Sequence, residues 1–329
     1  MSEISSELFR GKTVCLFLHR GCSLLCPYCV SNASKIKPKK SIVDKIGMEK
    51  YAHNILKMIR GVRPVTIAFE GPGECPESKY FLPLAKTFFR EGHDIQIQTH
   101  LQTSRIIESF LSAFERNKVE HRVTINASYH LGTYLDRGKK GEELREAWLD
   151  KHLPTVARYG CEVRVITPLT PAVLNDKQFE NNLRYFKKLP NVTPKPIPLG
   201  HIYKSKHYPE SYTSEQRKRV LYLLQKYNPD NWKQPSDPKH FDILSKLHLK
   251  KHNCHVASNI IQVLYEGGLR YCQSGKTFGN IAEIEKVDCP PFIKNPIQCK
   301  ADTCHCSYMG YHYCMVPNFL SIDDYCNSM

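Results

Sequence analysis

Cys22-Ser-Leu-Leu-Cys26-Pro-Tyr28-Cys29 follows directly on an apolar run from Val14 to Leu18, and its reading decides the fold. Three thiols at C-x3-C-x2-C spacing, in a chain whose first residues show no secretory pattern, read as metal ligands. Structural zinc wants a closed tetrahedron, which three cysteines complete only if a residue such as His19 supplies the fourth ligand. A 4Fe-4S cluster suits three thiolates better, because it leaves one iron open to a small molecule.

Downstream of this loop the pattern alternates between helix-like and strand-like segments. Apolar spacing is helical over 41–60, and 65–69 is a short buried strand that ends in Glu70-Gly71-Pro72-Gly73-Glu74. A glycine turn lets backbone approach a ligand, and a glutamate accepts hydrogen bonds from a cationic amine. Helices are then expected over 83–91, 104–117 with Ser104 as cap, 142–158 with a break at Pro154, and 176–188. Strands are expected over 94–98, 123–127, 162–166 and 193–198. Strands alternating with helices make a parallel sheet whose working residues gather at the carboxyl ends of the strands. That rule selects Thr99, His100, Ser128, Tyr129, His130, Arg164, His201 and Tyr203.

The cysteine loop after a first strand resembles the signature of the radical S-adenosylmethionine (SAM) enzymes, in which an aromatic commonly stands where Tyr28 does. The resemblance implies an α/β fold, a partial (β/α)6 TIM-like barrel, with a 4Fe-4S cluster on Cys22, Cys26 and Cys29. In that family the free iron chelates the amino and carboxylate groups of SAM, and an electron from the cluster cleaves the sulfonium to a 5'-deoxyadenosyl radical. Gly71, Gly73 and Glu74 resemble the family's GGE motif, which holds the SAM amino group; Pro72 replaces a glycine and brings no N–H. By position Ser128 is similar to the residue that contacts the SAM ribose, with His130 standing where most members carry an aspartate. Thr99, His100 and Arg164 are expected beside the cofactor with Tyr28. Cys75, next to the glycine turn, is a candidate hydrogen-atom donor to a substrate radical, as in some peptide epimerases of the family. Cys15 and Cys161 read as packing.

The carboxyl-terminal part holds eight further cysteines: Cys254, Cys272, Cys289, Cys299, Cys304, Cys306, Cys314 and Cys326. Cys254 and Cys272 flank Gly267 as C-x12-G-x4-C around a strand at 260–265 and a Glu266-Gly267-Gly268 turn, and Phe278-Gly-Asn-Ile281 follows. This resembles the SPASM extension of radical SAM enzymes, a small Cys-rich domain that carries auxiliary 4Fe-4S clusters. Two auxiliary clusters are implied, although the later spacings depart from the usual pattern; one cluster with spare thiols, or structural zinc, are the alternatives. The expected division is a barrel over 1–205, a linker with helix and prolines over 206–253, and the cluster domain over 254–329.

Composition bounds the function. The chain has 329 residues, 41% hydrophobic, with 14 cysteines and a net charge of +15. No apolar run approaches the roughly 18 residues that span a bilayer, and thiols used for metals point to a reducing cytoplasm. The basic residues lie in scattered groups with no aromatic-interleaved stripe, which argues against nucleic acid and toward a solvated surface or an anionic substrate. The expected activity is hydrogen abstraction from a peptide or small molecule, sugar-like or nucleotide-like, served by a reductant such as flavodoxin or ferredoxin. No separate leader-recognition segment precedes Cys15, which shifts the expectation toward the small molecule. A non-catalytic iron-sulfur electron carrier and a zinc-bearing nucleic-acid-binding protein are the competing classes.

Overall fold

The computed structural model describes residues 12–29, 40–62, 64–200, 202–228, 253–254, 256–272, 275–287, 292 and 297–298. Strand β1 (Lys12–Leu16) leads into the cysteine loop, followed by helices α1 (Ile42–Ile46) and α2 (Met48–Met58). Alternation continues with β2 (Val65–Phe69), α3 (Phe81–Arg90), β3 (Asp94–Thr99), α4 (Ser104–Leu111), α5 (Arg116–Arg122) and β4 (Val123–Ser128). Next come α6 (Leu131–Leu135), α7 (Gly138–Ala147), a π turn over Trp148–His152, α8 (Leu153–Ala157), β5 (Glu162–Leu169), α9 (Pro171–Asn175), α10 (Phe179–Lys188) and β6 (Val192–Pro198). The hairpin β7 (Ile202–Tyr203) and β8 (Lys206–His207) precedes α11 (Ser214–Tyr227). The remaining elements are β9 (Asn253–Cys254), α12 (Val256–Asn259), β10 (Ile260–Val263), β11 (Gly268–Arg270), β12 (Gly279–Asn280), a 3-10 turn (Ile281–Lys286) and β13 (Ile297–Gln298).

Described residues fall into two compact units, one within Met1–Gly21, Ile36–Gln96 and Leu247–Asn318, the other within Cys22–Lys35, Ile97–Lys246 and Phe319–Met329. In the first unit the strands lie in the order β12-β11-β10-β1-β2. β1 pairs in parallel with β2 on one side and with β10 on the other, Thr13 opposite Ile260 and Leu16 opposite Val263. The Glu266-Gly267-Gly268 turn then returns the chain as antiparallel β11, as the sequence suggests. Val14, Cys15 and Leu16 are all buried, the run without alternation that a strand covered on both faces requires. Against this sheet pack Ile55, Phe81, Leu84 and Phe88, with Phe81 edge-on to Phe69 at 5.1 Å. Asn54 on α2 donates to the Ile281 carbonyl at 2.7 Å, tying the Gly-Asn-Ile segment to this core.

The second unit is a parallel array in which β5 lies between β4 and β6. β4 buries Val123, Ile125 and Ala127 on one face and leaves Thr124, Asn126 and Ser128 half-buried on the other. Register sets Asn126 beside Arg164 and Ser128 beside Ile166. Just past β4, the buried rings of Tyr129, Trp148 and Phe186 meet at 4.6 to 5.6 Å.

Local chemistry moved several boundaries. The helical run at 41–60 is two helices, capped at Ser41 by a reciprocal bond with Asp44 and broken at Gly47, whose φ is +85°. Ser104 begins α4 but does not cap it; its hydroxyl instead meets His152 Nδ1 at 2.8 Å. The break expected at Pro154 is absorbed one turn earlier, where the π turn widens the helix before a proline that has no N–H to give. Helix α11 is capped by Thr213, paired with Gln216.

Candidate functional site

Within the first unit, the turn after β2 is built against the backbone that leads out of β1. The Glu74 N–H donates to the Gly21 carbonyl at 2.8 Å, so the turn is bonded to the residue immediately before Cys22. Gly73 makes that approach possible: a Cβ there would lie 2.5 Å from Gly21 O and 2.8 Å from His19 O, both backbone atoms. Gly71 has φ +128°, and a Cβ on it would lie 2.8 Å from the Phe17 ring. Two glycines flanking a proline are therefore demanded by space and by backbone angle. Glu70 and Glu74 are both buried. Arg20, just ahead of the cysteine loop, is ion-paired with Glu266 and lies 5.1 Å above the Tyr265 ring, so the β10–β11 turn grips it. His19 places Nε2 3.7 Å from Glu77 Oε2.

Cys75 is wholly enclosed in this unit. Its Sγ donates to the Glu70 carbonyl at 3.1 Å, and burial pushes the thiol up to about 12. A hydrogen-atom donor has to be reached by substrate, whereas this thiol fills the core and fastens the turn; the hydrogen-donor role is not carried forward. Cys15 and Cys161 are likewise buried.

Within the second unit, Cys22, Cys26 and Cys29 are half-buried on one loop, with a turn closed by the Cys29 N–H on the Cys26 carbonyl at 3.2 Å. Leu25, at φ +51°, takes the left-handed conformation that bends the loop between the first two thiols. Burial pushes the Cys26 thiol up to about 12, while hydrogen bonding by Thr133 and the Arg137 charge pull the other way. Among the described residues no three His, Cys, Asp or Glu side chains form a ready-made single-ion site.

Two residues that the sequence did not single out brace this loop. Arg137 donates to the Leu24 carbonyl, and Thr133 Oγ1 donates to Tyr28 Oη at 3.2 Å. Both belong to or follow α6, a helix of five residues, too short to show a period in sequence. Tyr28 is buried, its hydroxyl 3.3 Å from His130 Nδ1 and its ring edge-on to Tyr203 at 5.9 Å. Tyr203 and Lys204 both donate to the Asp136 carboxylate at 2.8 Å.

The other expected cofactor contacts are spread over the same unit. Thr99 is buried and accepts from the Leu101 N–H at 2.9 Å; His100 is buried, Nδ1 accepting from Gln102 N at 3.2 Å and its carbonyl from Trp148 Nε1 at 3.0 Å. Ser128 ends β4 on the half-buried face. Arg164 forms a two-pronged pair with Glu162 on its own strand, at 2.6 and 2.7 Å. In the carboxyl-terminal part, Cys272 is half-buried next to Tyr271, whose ring stacks on Phe278 at 4.3 Å. Only the backbone of Cys254 is described, in β9, and Cys289, Cys299, Cys304, Cys306, Cys314 and Cys326 lie outside the described residues, as does His201.

Parallel β/α units with a cysteine loop after the first strand and a glycine turn after the second have the fold of the radical SAM enzymes. Solved structures similar to this chain include those of anSMEcpe. The native protein with bound AdoMet and Cp18Cys peptide is 15% identical, with a TM-score of 0.51 over 96% of this chain and 94% of that one. The native protein with bound AdoMet gives 14% and 0.54 over 96% and 94%, and a polyhistidine-tagged form with bound AdoMet gives 13% and 0.54 over 92% and 95%. At this identity the likeness is one of fold. No family model matches the chain, and no curated protein matches it. Among the described residues no helix is long and apolar enough to cross a membrane.

Proposed function

We propose that the chain is a radical SAM enzyme that cleaves SAM reductively and directs the resulting 5'-deoxyadenosyl radical at one C–H bond of a peptide or small-molecule substrate. The observation that carries this reading is the glycine turn bonded through Glu74 N–H to the residue ahead of Cys22, in a fold shared with AdoMet-bound enzymes. The donor set fits a 4Fe-4S cluster: three half-buried thiols on one loop that Arg137 and Thr133 brace. When bound, the cluster would supply the electron and an open iron for the SAM amino and carboxylate groups.

The chain's own residues have separate tasks. Arg137 and Thr133 hold the loop, Glu74 offers an acceptor for an ammonium group, and Gly71 and Gly73 keep side chains out of the turn's path to a ligand. Electrons come from a low-potential carrier such as flavodoxin or ferredoxin, and the carboxyl-terminal thiols take auxiliary clusters. A peptide substrate is favoured by the peptide bound in one matched structure, an anionic small molecule by the net charge of +15.

Anaerobic reconstitution with iron and sulfide, iron counting, and an assay for 5'-deoxyadenosine from SAM under dithionite test the proposal. A brown protein that releases deoxyadenosine is expected. A colourless zinc protein, or iron without deoxyadenosine, overturns it.

A further inference from the structure

Five large apolar side chains are exposed among the described residues, and three of them, Leu25, Leu135 and Ile202, belong to the cysteine loop, α6 and the β7–β8 hairpin of the second unit. Those three pieces of chain are bonded together beside the exposed residues. Arg137 donates to the carbonyl of Leu24, next to Leu25. Tyr203, next to Ile202, donates to Asp136, next to Leu135, at 2.8 Å, and its ring lies 5.9 Å from that of Tyr28 on the cysteine loop. Leu25 is 57% exposed at φ +51°, a backbone angle that glycine or asparagine takes with less strain, so its side chain serves neither the turn nor the core. Around these residues the charge is basic. Lys139, Lys140 and Lys206 are exposed, the Asp136 carboxylate is taken up by Lys204, and the next acidic residues, Glu142 and Glu143, lie a turn further along α7.

We propose that Leu25, Leu135 and Ile202 form the apolar centre, and Lys139, Lys140 and Lys206 the charged rim, of a docking face for a small acidic electron-carrier protein. The inference rests on the function proposed above, which needs one electron for each SAM cleaved: the carrier is oxidised by one electron and the cluster on the three thiols is reduced by one. Electron tunnelling weakens steeply with distance, so the carrier has to sit where the cluster's ligands come nearest the surface. Cys22, Cys26 and Cys29 are half-buried on the loop that carries Leu25. An apolar centre inside a charged rim is the anatomy of a protein interface, and a face this small suits the transient encounters of electron transfer, which bury under about 1,200 Å². Lysines steer a partner whose redox centre is rimmed by carboxylates. Nucleic acid fits the face poorly, because the tyrosines that meet there, Tyr28, Tyr134, Tyr203 and Tyr208, are buried and offer no ring for a base to stack on.

Calorimetric titration of an acidic flavodoxin, oxidised, into the reconstituted full chain reads the face directly, with iron content checked for each variant. The triple variant Lys139→Glu, Lys140→Glu, Lys206→Glu is expected to bind about tenfold or more weakly at low salt, and to lose most of the salt dependence that wild type shows. A control with the same change of charge, Lys177→Glu, Lys187→Glu, Lys188→Glu on and beside α10, is expected to stay within about threefold of wild type. Ile202→Ser leaves the charges alone and is expected to weaken binding about threefold or more at low and high salt alike. In turnover the face variant is expected to keep its dithionite-driven release of deoxyadenosine within about twofold, while the rate driven by reduced flavodoxin falls about tenfold. Wild type that does not bind the flavodoxin, face and control variants that weaken equally, or Ile202→Ser that binds as wild type overturns the docking face. Wild type that releases no deoxyadenosine with dithionite defeats the proposed function instead, and the titration still judges the face.

Discussion

Replacing Gly73 by alanine puts a methyl group at the tightest backbone crossing of the first unit. The new Cβ would sit 2.5 Å from Gly21 O and 2.8 Å from His19 O, and neither carbonyl is the free end of a flexible side chain. The turn has to move away by most of an ångström, which strains the 2.8 Å bond from Glu74 N–H to Gly21 O. Overpacking of this kind costs about 1–3 kcal/mol, and a buried N–H without its acceptor costs about 1–3 kcal/mol more. Some relaxation is certain, so the expected loss is roughly 2–4 kcal/mol, seen as a Tm lower by about 5–10 °C in an anaerobic melt of the full chain. If Glu74 holds the SAM ammonium group as proposed, displacing it is expected to weaken SAM binding tenfold or more, from one charge-assisted hydrogen bond of about 1.5–3 kcal/mol. Gly73→Ala that melts with wild type, with unchanged protection of the Glu74 amide in hydrogen exchange, would refute the reasoning.

Cys26→Ala is expected to abolish deoxyadenosine formation, and Cys304→Ala to leave measurable, uncoupled SAM cleavage; cleavage unaffected by Cys26→Ala contradicts the cluster assignment. Asn54→Leu strands the Ile281 carbonyl, which now accepts at 2.7 Å in a buried setting. A loss of about 1–3 kcal/mol is expected, with earlier proteolytic cleavage in the carboxyl-terminal part than in wild type. Glu180 is held by Lys226, Arg219 and Tyr222, which pull its carboxyl from 4.5 down to about 2. Its stabilisation is full above the unfolded value of about 4.5 and disappears as pH falls through about 2. Screening at this surface limits it to roughly 0.5–1 kcal/mol. Glu180→Gln should therefore lower stability at pH 7 by that amount and flatten the acid limb of urea denaturation; an unchanged acid limb counts against the pairing.

The alternation of strands and helices could be read from residues because each strand is bounded by turn chemistry and each long helix shows an apolar stripe. Position within β4 was equally readable, since Ser128 follows from the two-residue period of Val123, Ile125 and Ala127. What stayed hidden depends on contacts distant in sequence. Nothing near Arg137 or Thr133 announces that they meet Leu24 and Tyr28. The burial of Cys75 was also out of reach, because a thiol beside a glycine turn looks the same whether it faces a ligand or the Glu70 carbonyl. Caps depend on backbone angles as well as residue type: Thr213 caps α11 through its side chain, whereas neither Thr103 nor Ser104 caps α4 that way.

The pairing of β1 with β10 sets a timetable for biosynthesis. Thr13 leaves the ribosome well before Ile260, its sheet partner, is made. Until then the first strand has an open edge, and the nascent polypeptide exposes hydrogen-bonding groups to any other chain in reach. Chaperoning through that interval is expected, and the inorganic centre is best loaded once β10 has closed the edge.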